Sequence, residues 1–361
     1  MMLRTIASFR YLSTQHVIKQ NLNDQKIPHI PVMLRETLEY LKPSKNEVYI
    51  DMTFGAGGHT RKILEAAENV KVFALDRDPV AHEYAKELSQ KYNGRLIPLL
   101  GRFSELPNLL KQHNIRFNSI DGFLFDYGCS SMQFHEADRG FSINKNGYLD
   151  MRMDKNRFPE QPTCAEILAK IDEEDLARII KNYGEEKYAK KIARAIIDTR
   201  YAVKKIETTK ELADIVSSCC NDEIRLDKLN RPAHTATKTF QALRIFVNNE
   251  LNEINYGMLV AERYLKIGGR LITITFHSLE DTIVKRHIMG NITDDVVNEV
   301  PLKYISSMLC HDESKVNVMF ETNWRQLHKH VLTPKFEEIE DNPRSRSAKF
   351  RAVVKIKNRQ S

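Results

Sequence analysis

The chain has 361 residues, 42% of them hydrophobic and 29% charged, and its 55 basic against 48 acidic side chains give a formal net charge of +7. That is the composition of a soluble globular protein with room for one large or two modest domains. It excludes a membrane span, because no apolar run approaches the ~20 residues a spanning helix needs, and the mild basic excess permits a polyanionic partner without demanding one.

Residues 1–26 come first. Arg4, Arg10 and Lys19 occur with several hydroxyl residues and no acidic residue before Asp24, and Leu3, Ile6, Phe9 and Arg10 fall at amphipathic-helix spacing. This is the composition of a mitochondrial transit peptide, which predicts an address in the mitochondrial matrix.

The stretch from Val48 to Pro79 organises the rest. An apolar run ends on Asp51, a glycine turn follows (Gly55, Gly57, Gly58), then a helical segment with Ile63, Leu64 and Ala67 on one face, then a second apolar run ending on Asp76. Strand, glycine loop, helix, strand and acidic residue make a βαβ unit with a nucleotide-type site at the carboxyl ends of its strands. Asp76 is placed to accept hydrogen bonds from ribose hydroxyls. The dinucleotide fingerprint fails at its last glycine, which is Thr60. With Asp51 before the loop and His59 inside it, a pyrophosphate is disfavoured, whereas the ammonium and sulfonium of S-adenosylmethionine suit a nearby carboxylate.

A third strand is predicted over Leu96 to Leu100, and Phe103 just beyond it is placed to stack on an adenine. The fourth, Ile120 to Phe125, ends on Asp126, so three strands end in aspartates facing one crevice. From Phe134 to about Ala236 the pattern becomes an irregular loop and then helices, which reads as an inserted helical domain. A single long amphipathic helix follows, with Phe240, Leu243, Phe246, Val247, Leu251 and Ile254 on the face toward the sheet. Gly268-Gly269 precedes a fifth strand, Arg270 to Phe276. Ser278 with Asp281 reads as a capping box on the next helix, and His277 faces the strand-end edge. Residues 290–322 are weakly patterned. His328 to Leu332 and Ala348 to Ile356 read as two final strands, and between them Arg344, Arg346, Lys349 and Arg351 form a basic set suited to RNA phosphates. The five cysteines (Cys129, Cys164, Cys219, Cys220, Cys310) contain no C-x-x-C pair, so neither a disulfide framework nor a metal site is expected.

Ordered motifs then carry a resemblance. H-I-P-V-M-L-R-E, D-M-T-F-G-A-G-G-H-T, A-L-D-R-D-P, D-Y-G-C-S-S-M-Q-F, E-A-D-R-G-F-S, L-D-M-R-M-D, T-K-T-F-Q-A-L-R-I-F-V-N-N-E-L, F-H-S-L-E-D and N-P-R-S-R-S-A-K-F-R appear in sequence from His29 to about Lys355. Together they resemble the bacterial small-subunit rRNA cytosine-N4 methyltransferases, and their mitochondrial members in particular. The resemblance implies an α/β, Rossmann-like class I methyltransferase sheet (27–133 and 237–361) with the insertion (134–236) as a substrate-recognition domain. It implies S-adenosylmethionine as methyl donor and small-subunit rRNA, in an immature ribosomal subunit, as partner. Carried over by motif, the donor contacts are Gly57, Gly58, His59, Asp76, Phe103, Asp126 and Gln133. The sequence departs from the family at Tyr127 and Cys129, where a small aliphatic residue is usual.

Cytosine N4 is a poor nucleophile, because its lone pair conjugates with the ring, and a nearby proton acceptor helps it react. Asp126 is the expected acceptor, assisted by Ser130 or Ser131, with Tyr127 or His277 against the base. The competing expectations are an rRNA-binding assembly factor that keeps the donor site without catalysis, a nicotinamide-dependent oxidoreductase, and a methyltransferase acting on a protein or small molecule.

Overall fold

The structure, a computed structural model, describes residues 30–220, 225–226, 232–290 and 322–358. The predicted transit segment, nearly all of the weakly patterned stretch 290–322 and most of the basic connection before Pro232 lie outside the described residues. Val32–Ser361 form one unit.

Helix α1 (Leu34–Leu41) leads into strand β1 (Val48–Asp51). Helix α2 (Gly58–Ala66) crosses to β2 (Lys71–Asp76), α3 (Pro79–Ser89) to β3 (Leu96–Leu100), and α4 (Leu106–Gln112) to β4 (Ile120–Asp126). Strand β5 (Leu265–Thr275) adds in parallel beside β4, and β6 (Trp324–Gln326) and β7 (Lys349–Lys355) finish the sheet antiparallel. The order is β3-β2-β1-β4-β5-β7-β6. Strand order reverses between β1 and β4, and the crevice above their carboxyl ends is where such sheets bind ligands.

The first four strands are near-continuous apolar runs because helices cover both faces. Alternate side chains separate into two cores. Ile50, Phe123 and Phe125 meet Ile254 and Met258 on one face, and Tyr49, Leu124 and Ile272 meet Ile63 and Leu64 on the other. Strand β5 begins at Leu265, earlier than the predicted Arg270, because Lys266 to Gly269 form an irregularity: Ile120 pairs with Leu265 while Gly122 pairs with Arg270. Strand β6 lies just before the predicted His328–Leu332, of which only Leu332 bridges to Phe350.

After β4 come α5 (Ser131–His135), α6 (Cys164–Lys170), α7 (Glu173–Gly184), α8 (Ala189–Ala202) and α9 (Thr209–Cys219). Leu168, Ile180, Ile192, Ile196 and Leu212 gather there in a third core. The single long helix expected next is two helices, α10 (Thr237–Asn248) and α11 (Glu250–Tyr264), broken at Asn249, which sits in the left-handed region at φ 51°. Asparagine tolerates that conformation better than most residues. The break re-aims the apolar face, so Phe240, Leu243 and Val247 of α10 pack into the helical core and only α11 packs on the sheet. Phe246, assigned to the buried face from its spacing, is 40% exposed. At Gly184 a Cβ would lie 2.5 Å from the Lys238 carbonyl oxygen, so the approach of α7 to α10 requires glycine.

Arginines fasten the helical segment to the sheet edge. Asp154, wholly buried, pairs with Arg77, with Arg102 (2.9 Å) and with Arg157 (3.3 Å). Asp78, which caps α3, pairs with Arg139 at 2.7 Å and accepts from Gln133 Nε2 at 3.0 Å. The turn after β2 is thereby locked to the loop that follows β4.

Candidate active site

Asp51 ends β1 with its side chain buried. Its Oδ1 accepts from the Thr53 amide (3.0 Å) and its Oδ2 from the Thr60 hydroxyl (2.6 Å). The residue that breaks the dinucleotide fingerprint therefore ties strand end to helix, a role the sequence reading missed. Gly57 caps α2 at φ 73°, and a Cβ there would lie 2.7 Å from the Phe54 ring, so the turn excludes other side chains on both counts.

Asp76 ends β2. Its Oδ2 accepts from the Gly55 amide and its Oδ1 from the Asp78 amide, each at 2.8 Å. Each oxygen keeps a second lone pair for a ligand hydroxyl. Asp126 ends β4; its amide donates to Thr53 Oγ1 (2.7 Å), its Oδ2 lies 3.7 Å from His59 Nε2, and its Oδ1 has no hydrogen-bond partner among the described residues. Direct contacts thus join Asp51, Thr53, His59, Thr60 and Asp126 at the strand ends, and Gly55 of the same loop holds Asp76.

Burial raises all three carboxyls. It lifts Asp51 to about 6; with the Asp78 charge, it lifts Asp76 to about 7; with the charges of Asp51 and Glu280, it pushes Asp126 well above the usual range. No lysine or arginine pairs with any of the three among the described residues. A donor bearing a sulfonium and an ammonium fits this under-compensated edge, and a pyrophosphate does not.

Phe103 packs edge-on against Phe125 (5.5 Å between centroids) and Tyr127 (6.1 Å) and stays half-buried. Tyr127 is buried and stacked on Phe125, and its hydroxyl has no hydrogen-bond partner among the described residues.

Other predicted residues hold local structure. Ser130 caps α5 by accepting from the Gln133 amide, and the Gln133 side chain returns the bond to the Ser130 amide. With its Nε2 on Asp78, Gln133 has both ends of its amide engaged, one step from Asp76 rather than on it. Ser130 does reach the loop: its Cβ is 3.7 Å from where a Gly55 side chain would start.

The capping box on α12 (Ser278–Ile288) is one residue earlier than expected. His277 is the cap, its Nδ1 accepting from the Glu280 amide, while Glu280 accepts from the amides of Phe276 and His277. Strand β5 ends at Thr275, which leaves His277 in the capping position. Its Nε2 also lies 2.9 Å from Glu280 Oε1, so His277 is held within its own helix start. Asp281, the expected box partner, instead binds Arg351 (2.7 Å) and Lys349 (3.2 Å), so those two cations of the predicted RNA-binding set share one internal carboxylate.

Sequence reasoning also missed Arg244, Glu250 and Glu280. Arg244 makes a bidentate pair with Glu250 (2.8 and 2.9 Å) and lies 3.8 Å from Glu280, behind the loop carrying Gly128 and Cys129. A charged residue amid the apolar face of T-F-Q-A-L-R-I-F was the available signal. Burial alone would raise Glu280, but the His277 and Arg244 charges outweigh it and hold the carboxyl below its usual value.

The sequence pattern of the MraW methylase family matches residues 26–356. The 12S rRNA N(4)-cytidine methyltransferase METTL15 of Mus musculus is 48% identical over 336 residues, 91% of this chain and 82% of that protein. The ribosomal RNA small subunit methyltransferase H of Ehrlichia canis is 42% identical over 328 residues, 91% of this chain and 100% of that one. The receptor-type tyrosine-protein phosphatase mosPTP-1 of Culex quinquefasciatus is 63% identical over 335 residues, 93% of this chain but 23% of that protein, so the chain spans under a quarter of that relative. With a match running through the whole βαβ site and the segments that frame it, the chain belongs to the MraW methylase family and is an enzyme that takes its methyl group from S-adenosylmethionine.

Proposed function

We propose that the protein methylates the exocyclic N4 of a cytosine in small-subunit ribosomal RNA, in the mitochondrial matrix. The carrying observation is Asp126, a strand-end carboxylate with one oxygen lacking a hydrogen-bond partner among the described residues and a raised proton affinity, beside the glycine loop. The substrates named for the mouse and Ehrlichia relatives support the choice of RNA, and the basic, acid-free segment 1–26 supports the address.

When bound, S-adenosylmethionine supplies a methyl group on a positive sulfur that already leaves readily, so an amine needs alignment more than activation. Gly57 and Gly58 would let the backbone run close under the donor, Asp76 would accept the ribose hydroxyls through its remaining lone pairs, and Phe103 would flank the adenine. Asp126 Oδ1 accepts an N4–H, draws the nitrogen lone pair out of conjugation, and takes the proton as the new N–C bond forms. Its raised pKa makes that transfer more favourable than to an ordinary aspartate. The cytosine must be unstacked to reach this crevice, so a single-stranded or extruded base in folded rRNA is required. The helical segment 134–236 serves as the substrate-recognition domain, and an immature small subunit is the physiological form of the substrate.

The test is transfer from labelled S-adenosylmethionine to small-subunit rRNA and to immature subunits, followed by nucleoside analysis. Labelled N4-methylcytidine is expected. Donor binding with no labelled nucleoside from either substrate would overturn the proposal and favour a non-catalytic assembly factor.

A further inference from the structure

With Lys349 and Arg351 bound to Asp281, Arg344 and Arg346 remain of the C-terminal basic set, and Arg344 is the exposed one of the two. Arg344 stands at the start of the turn Pro343–Ser347, exposed, with its guanidinium 5.8 Å over the Phe134 ring and no carboxylate partner among the described residues. Phe134 belongs to α5, and the next residue, His135, is exposed at the end of that helix. Lys145, from the loop beyond, donates to the His135 carbonyl at 2.8 Å, and its own carbonyl is held by the Thr209 hydroxyl at 2.8 Å. The end of α5, which carries His135, is therefore where Arg344 from one part of the chain and Lys145 from another are both held. The neighbouring acid, Glu136, turns toward Lys155 (3.5 Å) and Arg139 (4.0 Å). Burial, then Arg344, then Lys145 lower the proton affinity of His135, as expected where positive charge gathers without an anion.

The location narrows the choice of anion. Helix α5 begins at its Ser130 cap, four residues after Asp126 and against the Gly55 loop, so the cluster lies at the far end of a five-residue helix rooted in the crevice. We infer that Arg344, Lys145 and His135 form a phosphate-binding site that holds the RNA backbone beside the extruded base. This rests on the rRNA-substrate proposal above. Stacking on Phe134 orients the planar guanidinium and leaves its edge for bidentate contact with a phosphate, while Lys145 adds a second charge. Such contacts set the register of the strand and carry no sequence preference.

The experiment measures binding of a small-subunit rRNA transcript to the full chain over a range of salt, for wild type, Arg344→Ala, Lys145→Ala, the double variant and Arg344→Lys. Each alanine variant should lower the log–log salt slope by about 0.7–0.9. It should weaken RNA binding several-fold and raise the KM for RNA more than it lowers kcat, with S-adenosylmethionine affinity and melting temperature unchanged. Arg344→Lys should recover the slope but only part of the affinity. A double variant with wild-type affinity and slope, or one whose donor affinity falls in step, overturns the site. If wild type methylates rRNA and the variants match it, only this inference fails. If wild type neither binds nor methylates rRNA, the substrate proposal fails with it.

Discussion

Buried and half-buried aspartates in this protein are treated in two opposite ways. Asp154, at the seam between the helical segment and the sheet edge, is surrounded by Arg77, Arg102 and Arg157. Burial alone would raise its pKa, but hydrogen bonds and charge from Arg77 and Arg102 more than offset that and keep it below the usual value. Asp51, Asp76 and Asp126, at the strand ends, have backbone amides, a hydroxyl and a histidine for neighbours, and all three are raised. The first arrangement makes a fastener, because one buried carboxylate ties arginines from two strand ends to the helical segment, and removing it leaves Arg77 and Arg102 without an anion. The second holds negative charge in need of a cation and a proton, the two things that a sulfonium donor and a methylated amine bring. The identity of the residue is the same; its compensation decides whether it holds the fold or serves chemistry.

The largest effect that would test this contrast is Asp154→Ala. It leaves three arginines without their shared carboxylate, and unfolding experiments should register a loss of about 3–5 kcal/mol. A cost below ~1 kcal/mol, the range of surface pairs, would remove the fastener from the comparison. Thr60→Val should cost less, about 1–3 kcal/mol, because one buried Asp51 oxygen loses its hydroxyl donor. Chemical denaturation checks it, and a variant as stable as wild type would show that the Thr60 contact does not hold the strand end.

The smallest effect is in donor affinity against pH. Raised carboxyls are protonated at low pH and ionise as pH rises through about 6 for Asp51 and about 7 for Asp76. A cationic donor prefers the ionised forms, so its affinity should increase across that window, by at most about tenfold per unit for each proton released, and level off above it. Asp154, lowered rather than raised, contributes nothing there. Calorimetric titration of S-adenosylmethionine from acid to neutral pH reads this directly, and a flat profile would mean that the strand-end charges do not face the donor.

Strands β1 to β4 were legible because a strand buried on both faces is a short apolar run bounded by turn residues, and their terminal aspartates were legible because polar residues that end such runs stand out. The break at Asn249 was not, since a 3.6-residue period identifies a buried face without saying which core it faces, and α10 and α11 face different ones. The cap of α12 slipped by one residue because His277–Glu280 and Ser278–Asp281 share the same spacing and only the end of β5 chooses between them. Lys349 and Arg351 read as solvent-facing cations because their partner, Asp281, lies about 70 residues earlier in the chain. Arg244 was hidden for a similar reason: Glu280, 36 residues later in the chain, comes within 3.8 Å of it only in the folded protein.

The central claim, that under-compensated Asp126 receives the proton from the methylated amine, is tested most directly by Asp126→Asn, which keeps the shape and removes the base. Methyl transfer from labelled S-adenosylmethionine to small-subunit rRNA would be measured alongside donor affinity and melting temperature. The account predicts turnover lowered by about 10²–10⁴-fold, donor affinity within a few-fold of wild type, and stability unchanged or improved because a desolvated charge is gone. Wild-type turnover with normal donor affinity would contradict it and move the proton acceptor elsewhere in the crevice.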